Sequence, residues 1–357
     1  MFYQSILDRC NAKPTDEMSY EEWLELRKSS IGGSDSGAIL GYIGEWGSSA
    51  TVFGQKKGKD KPNKEMSPAA MRGKILEPVI RKYFAAEYPG LVIENVPYIL
   101  YHPEFSFISA NIDGIIHADK PIVMNGKQLL GIGGLEIKTS GYGYGYGKDE
   151  IPDGYYCQVQ HYMAVTGLQW FVLAVYFLEK EEVRYFVVER NNDFINNDLI
   201  PPEIEFWEKY YIPNEWPPFM GIEAEDEMIT GMIDGGSTIV FGDDIKELCR
   251  LHEDAKNREK AAEAEKKLHS IEIKAAIAEE QKKQSRKTDE KKVIALAGPY
   301  TITFSIIERK DVDRDALKKD GLFERYQKTI SYDQLRVNQK KARKWGCPRS
   351  NAWTTFF

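Results

Sequence analysis

Asp113, Glu136 and Lys138 carry the first chemical signal in this chain. Asn111-Ile112-Asp113-Gly114 is followed by Gly134-Leu135-Glu136-Ile137-Lys138, and both segments read as strands. Residues i and i+2 of a strand point to one face, so Glu136 and Lys138 project together. If the Asp113 strand lies beside theirs, Asp113 and Glu136 can share one divalent ion. Two carboxylates with open water positions suit Mg2+. Such an ion lowers the pKa of water and polarises a phosphoryl oxygen, while Lys138 can orient the attacking water or steady phosphate charge. The ordinary alternative is an exposed strand edge bearing a Glu/Lys pair. Glu77, in the helical RGKILEPVIRKYF, can aim a third carboxylate at the metal. Gln158 and Tyr162 stand i, i+4 on the helix after the Glu136 strand and share a face. Their plain alternatives are a helix-surface glutamate and a half-buried Gln/Tyr pair.

The elements that must position these residues are legible in outline. Residues 19–30 read as a helix capped by Ser19 with Glu22 in the capping-box position. IGGSDSGAILG then gives a turn into a second helix, opened by Ser34. Residues 54–68 are polar and lysine-rich, as a surface loop would be. Residues 69–89 are helical in pattern, with Pro78 expected to start or kink one section. Residues 91–101, 106–118, 129–138, 170–178 and 183–190 are rich in β-branched and aromatic residues and read as strands. The helical GYYCQVQHYMAVTG falls between the third and fourth, and residues 201–211 read as another helix. This β–β–β–α–β order predicts a mixed sheet with helices against it. Residues 245–290 space Ile245, Leu248, Leu251, Leu268 and Ile271 helically among many charges, which predicts a long amphipathic helix or helix pair. A strand-like PYTITFSII and a short helical DRDALKKDGLF come next. The expected organisation is 1–220 as the catalytic domain, 221–298 as linker and helical region, and 299–357 as a small β-containing basic extension.

Composition excludes several classes. With 357 residues, 42% hydrophobic and 12% aromatic, the chain can bury a real core and is not wholly disordered. The net charge of -7 rules out a uniformly basic DNA-coating protein. That charge is segregated: residues 1–245 sum to -16 and residues 246–357 to +9, an acidic body with a basic end that can meet phosphate. Cys10, Cys157, Cys249 and Cys347 are scattered, without a zinc or iron–sulfur spacing. His102, His117, His161, His252 and His269 show no metal-ligand spacing either and read as structural. No apolar run approaches a membrane span, so a reducing cytoplasm is expected.

The order of the motifs resembles the PD-(D/E)xK nuclease superfamily, and within it the YqaJ-like viral recombinases that include lambda exonuclease. The resemblance rests on Arg27 with IGGSDSGAIL, RGKILEP with Glu77, NIDG with Asp113, LEIK with Glu136 and Lys138, and QVQHYMAVTG with Gln158, over residues 20–210. Ile112 stands where the family expects proline, and Asn111 where relatives often have serine; neither supplies an essential charge. The resemblance implies an α/β (mixed α+β) fold with a restriction-endonuclease-like core, a central mixed sheet flanked by helices, and here a helical plus small β C-terminal extension. It implies a Mg2+-dependent exonuclease, with Mn2+ able to substitute, that degrades double-stranded DNA 5′→3′ from an end. The exposed 3′ strand would serve recombination by annealing. Asp113, Glu136, the Ile137 backbone carbonyl and Glu77 would hold metal, Lys138 and Gln158 would complete the catalytic set, and Arg27 and Ser34 would grip a terminal 5′ phosphate. A free helix N-terminus at Ser34 and a bidentate arginine fit that role; a simple N-cap and a solvent-facing arginine fit the residues too. A phage or prophage protein of the bacterial cytoplasm follows, with a single-strand annealing protein as partner and a ring-shaped homo-oligomer, trimer favoured.

Other basic and aromatic residues are candidates for DNA contact. Lys56, Lys57, Lys59, Lys61 and Lys64 form a basic loop that either touches the DNA backbone or is simply solvated. Tyr142, Tyr144 and Tyr146, in GYGYGYG, can stack on bases or form a mobile rim. The tail with Lys340, Arg343, Trp345 and Trp353 can contact DNA, and the long helix can pack on its own domain, bind a partner or build an oligomer. Two rival functions remain: a structure-specific endonuclease on the same fold, and a catalytically silent DNA-end-binding recombination scaffold.

Overall fold

The computed structural model describes residues 2–59, 67–233, 238–283, 292–307, 312, 314–323 and 325. The chain divides into two compact units, Met1–Gly235 and Gly236–Phe357. No helix among the described residues is long and apolar enough to cross a membrane.

In the first unit, behind a short helix at Gln4–Arg9, helices α1 Tyr20–Lys28, α2 Gly33–Ile39, α3 Ser49–Lys56 and α4 Pro68–Glu87 precede the main sheet. The Ser19 hydroxyl accepts from the Glu22 amide and the Glu22 carboxylate from the Ser19 amide, the capping box read from sequence. Helix α4 starts at Pro68 behind a Ser67 cap and runs on through Pro78 rather than starting or stopping there. Proline removes one i→i−4 donor, and packing of Ile80 and Phe84 into the core holds the helix across that gap.

The main sheet has five strands in sequential order: β1 Val92–Glu94, β2 Gly114–Met124, β3 Lys127–Ser140, β4 Trp170–Phe177 and β5 Glu182–Glu189. Neighbours are antiparallel except β3 and β4, which run parallel. A parallel pair needs a crossover, and helix α5, Asp153–Thr166, supplies it. One core lies on the α5 side (Val159, Tyr162, Met163, Ile115, Phe171) and another on the α4 side (Phe84, Ile116, Leu135, Val172, Ala174). The expected mixed sheet flanked by helices is therefore present. Gly134 is needed where β3 meets β4, because a Cβ there would lie 2.1 Å from the Phe171 ring.

Two expected strands are broken. Residues 91–101 split at Pro97: Val92–Glu94 joins the main sheet, and Tyr98–Tyr101 joins a small second sheet. Residues 106–118 split as well, into Ile108–Ala110 and β2, with Asn111–Asp113 in the bend between them. Asp113 is thus not within a strand but at the entrance to β2. Helix α6, Ile200–Phe206, lies within a longer helical stretch that begins at Asn192.

The second unit contains one 41-residue helix, α7 Asp243–Lys283, and an antiparallel hairpin of β6 Lys292–Ala297 and β7 Tyr300–Ser305. The hairpin spans residue 298, where the sequence reading placed a boundary, because KVIALA forms a strand that pairs with the expected one. Residues 338–357, with their basic and aromatic tail, lie outside the described residues.

Candidate active site

The pairing of β2 and β3 brings Asp113 to Glu136. Gly114 pairs with Leu135, so the next residue back along β2 comes level with Glu136. There the ladder stops, and Asp113 instead turns its Oδ2 to the Ile137 amide, 2.8 Å away. A strand residue points its N–H and C=O the same way, so the Ile137 carbonyl also emerges on the Asp113 side.

Glu136 is 3% exposed. Its Oε1 accepts from Lys138 Nζ at 2.6 Å and from Gln158 Nε2 at 2.7 Å. Its Oε2 is buried with no partner. Gln158 Nε2 also donates to the Tyr162 hydroxyl at 2.7 Å, so the i, i+4 pair on α5 acts as one unit. Lys138 stands 5.1 Å from the Tyr155 ring centroid and keeps 22% of its side chain exposed, which leaves the pocket a route to solvent.

The carboxyl groups of this pocket are held against ionisation. Burial first, and then the neighbouring Asp113 charge, push Glu136 up to about 8 despite Lys138. Burial also raises Asp113, against Lys138 and the Ile137 amide. Burial alone would pull Lys138 down, but Glu136 and Asp113 outweigh it and the lysine moves up. Glu77 is raised by burial and then by the Asp113 charge, while Arg81, one turn on, binds its Oε1 at 2.5 Å. Among the described residues no three His, Cys, Asp or Glu side chains converge into a cation cluster, and Glu77 bears on the pair through the charge of Asp113.

The donor set fits a hard divalent cation. Two facing carboxyl groups, one with an unpartnered buried oxygen, meet a single lysine, and a backbone carbonyl emerges beside them. Mg2+ is ordinarily held by one or two carboxylates, with its other positions left to water and phosphate oxygens.

Arg27 and Ser34 also meet: Arg27 Nη2 donates to Ser34 Oγ at 2.9 Å. The guanidinium lies 4.8 Å over the Trp23 ring, and Trp23 Nε1 donates to Asn111 Oδ1 at 3.1 Å, tying α1 to the bend that holds Asp113. Gly33 lets α2 approach α5, since a Cβ there would sit 2.5 Å from the Tyr162 ring. Tyr162 thus lies between the Arg27–Ser34 pair and Gln158. Trp23, Arg81 and Tyr155 were missed from sequence. For the first two the signal existed, as each is four residues along a helix from Arg27 or Glu77.

The candidate DNA contacts are placed differently from one another, and two of them, Lys56 and Tyr146, need correction. Lys56 is 8% exposed. Its ammonium pairs with Asp35 at 2.7 Å and donates to the carbonyls of Arg27 at 3.1 Å and Ser30 at 2.5 Å. It ends α3 rather than riding a solvated loop, and it is not offered to a DNA backbone. Lys57 and Lys59 lie over the rings of Tyr211 and Trp216, at 3.7 and 4.7 Å; Lys61 and Lys64 lie outside the described residues. Tyr142 and Tyr144 are exposed, with ring centroids 5.6 Å apart. Tyr146 is instead packed among Tyr155, Phe177 and Phe186, and burial drives its hydroxyl pKa far up. It cannot stack on a base.

A second buried polar cluster lies nearby on α5. Ser36 Oγ donates to Glu203 Oε1 at 2.6 Å, and His161 Nδ1 meets the same oxygen at 2.9 Å. His161 Nε2 reaches the Ser109 carbonyl at 2.8 Å. Burial works against the charged His161, but Glu203 outweighs it and the pKa rises.

Comparison with known proteins agrees with the motif reading. Residues 22–169 match the family model of the YqaJ-like viral recombinase domain. The uncharacterized protein YqaJ of Bacillus subtilis (strain 168) is 34% identical over 218 residues, covering 60% of this chain and 63% of YqaJ. The chain therefore spans less than two thirds of that relative. Among solved structures, an alkaline exonuclease from Laribacter hongkongensis is 21% identical with a TM-score of 0.40, over 54% of this chain and 93% of that one. A phage related exonuclease from Haemophilus somnus 129PT is 14% identical with a TM-score of 0.38, over 52% and 94%.

Proposed function

We propose, from the match of residues 22–169 to the model of the YqaJ-like viral recombinase domain, that the chain is a Mg2+-dependent exodeoxyribonuclease. It hydrolyses phosphodiester bonds of double-stranded DNA from an end, 5′→3′, and leaves a 3′ strand for annealing. The observation that carries this reading is the buried Glu136 carboxyl, with one oxygen unpartnered, facing Asp113 and Lys138.

Asp113, Glu136 and the Ile137 carbonyl would hold the cation, with Glu77 behind them lending negative field; Mn2+ would substitute. When bound, the ion supplies Lewis-acid charge to the phosphoryl oxygen and to water. Lys138 is held by Glu136 with its ammonium charged, so it can meet the growing charge on the phosphate or orient water. Gln158 fixes Glu136 from the α5 side through its bond to Oε1. Arg27 presents a guanidinium already aligned by the Trp23 ring and the Ser34 hydroxyl, and together they take the terminal 5′ phosphate. The exposed Tyr142 and Tyr144 offer stacking faces to separated bases. A DNA end is the substrate, an annealing protein the partner, and a ring-shaped homotrimer in the bacterial cytoplasm the working form.

The test is a linear duplex labelled at either end, with and without 5′ phosphate, incubated with Mg2+ beside a closed circular duplex. Loss from the 5′ end of the linear DNA alone supports the reading. Equal cutting of the circle points to an endonuclease, and binding without released nucleotides to a silent scaffold; either result overturns it.

A further inference from the structure

Helix α7 belongs to the second unit, beyond the matched recombinase domain. From Lys260 to Gln281 its sequence falls into heptads. The a positions are Ala261, Leu268 and Ala275, and the d positions are Ala264, Ile271 and Ala278. All six are exposed, Leu268 at 53% and Ile271 at 55%. In this stretch only Ser270 and Ile277 are partly covered, and both are c positions, on the side away from the a/d seam. Among the described residues, nothing of the same unit covers this apolar seam of the 41-residue helix.

The flanking charges say what that partner is. Three of the four g positions are lysine (Lys260, Lys267, Lys274), the fourth being Gln281, and every e position is glutamate (Glu265, Glu272, Glu279). In a parallel pair, each g residue meets the e residue of the next heptad on the other helix. Lys260 would then face Glu265 of a second copy, Lys267 would face Glu272, and Lys274 would face Glu279. An antiparallel pair would set lysine against lysine and glutamate against glutamate. The row is therefore complementary to itself in one direction only, and small alanines at four of six seam positions let the backbones come close.

We propose that Lys260–Gln281 is a parallel self-association segment, whose partner is the same helix of another copy of this chain. This interface does not depend on the nuclease reading, nor on whether the first units also form a ring.

The test uses the full chain carrying Ala261→Cys. Oxidation followed by digestion and mass spectrometry detects a 261–261 disulfide, which parallel pairing in this register brings within reach, and the charge reversals below separate that pairing from an antiparallel crossing. The expected result is efficient cross-linking. Lys260→Glu with Lys267→Glu and Lys274→Glu should cut the yield at least tenfold, and so should Glu265→Lys with Glu272→Lys and Glu279→Lys. Mixed together, the two reversed chains should cross-link to each other, which shows that neither has simply unfolded. No 261–261 disulfide in the parent, a yield indifferent to both reversals, or no recovery on mixing would overturn the proposal.

Discussion

Two buried ionisable clusters beside helix α5 look alike and differ in charge balance. In one, His161 meets Glu203, with Ser36 and the Ser109 carbonyl closing the network, and both ionisable side chains are 0% exposed. In the other, Asp113 and Glu136 share a single lysine that reaches solvent, with Glu77 adding to the field. Each cluster has one unpartnered carboxyl oxygen, on Glu203 and on Glu136. An orphaned oxygen by itself therefore does not mark a cation site. What separates the two is the surplus of carboxyl groups and the opening beside Lys138: the first cluster is closed and paired, the second asks for positive charge from outside.

The strongest way to break that contrast is to exchange the consequences. Glu136→Ala or Lys138→Ala should reduce Mg2+-dependent degradation by about 10³-fold or more, roughly 4 kcal/mol of transition-state stabilisation, with the circular dichroism spectrum retained. Full activity in either variant would remove the second cluster from the chemistry. His161→Ala leaves Glu203 as an unpaired buried charge and should cost about 3–5 kcal/mol of folding stability, read by urea unfolding. The fraction that stays folded should degrade DNA at the parent rate per folded molecule; a specific loss of rate would make the first cluster catalytic too.

Smaller effects sharpen the edges of the site. Arg27→Ala removes a charged hydrogen-bond donor, worth about 1.5–3 kcal/mol, so the preference for 5′-phosphorylated over 5′-hydroxyl ends should fall about ten- to a hundredfold, while unphosphorylated ends are cut as before. Tyr142→Ala with Tyr144→Ala should weaken single-strand binding by about 1–3 kcal/mol per stacked base. Tyr146→Ala should act on stability instead, since its ring is inside.

Local signals were the readable part of this molecule. The Ser19–Glu22 box, the Glu136/Lys138 alternation and the Gln158/Tyr162 spacing each lie within a few residues, and backbone periodicity fixes their relation. Long-range pairings left no such trace. Lys56 reads as one of a run of solvated lysines until Asp35, 21 positions earlier, is seen to take its charge. Ser36, His161 and Glu203 are joined across 125 and 42 positions, so no spacing could reveal them. Asp113 reads as a strand residue because its neighbours are apolar and β-branched, yet the chain bends there, and that bend is what frees its carboxylate to reach the Ile137 amide.

The central claim is that the Asp113–Glu136–Lys138 pocket is built for a hard cation, and thermal unfolding across pH tests it without any nuclease assay. Without metal, folded Glu136 keeps its proton up to about pH 8, against an ordinary 4.5. The folded state then binds more protons than the unfolded one across that window, so stability falls as pH rises through it. The raised His161 adds its own loss as pH climbs through its folded pKa, but that loss is common to samples with and without metal. Binding of Mg2+ to ionised Glu136 opposes only the first loss. The Tm gap between Mg2+ and EDTA samples should therefore widen from pH 6 to pH 8.5 in the parent chain and close in Glu136→Gln. A gap that is absent, constant with pH, or unchanged in Glu136→Gln would contradict the account.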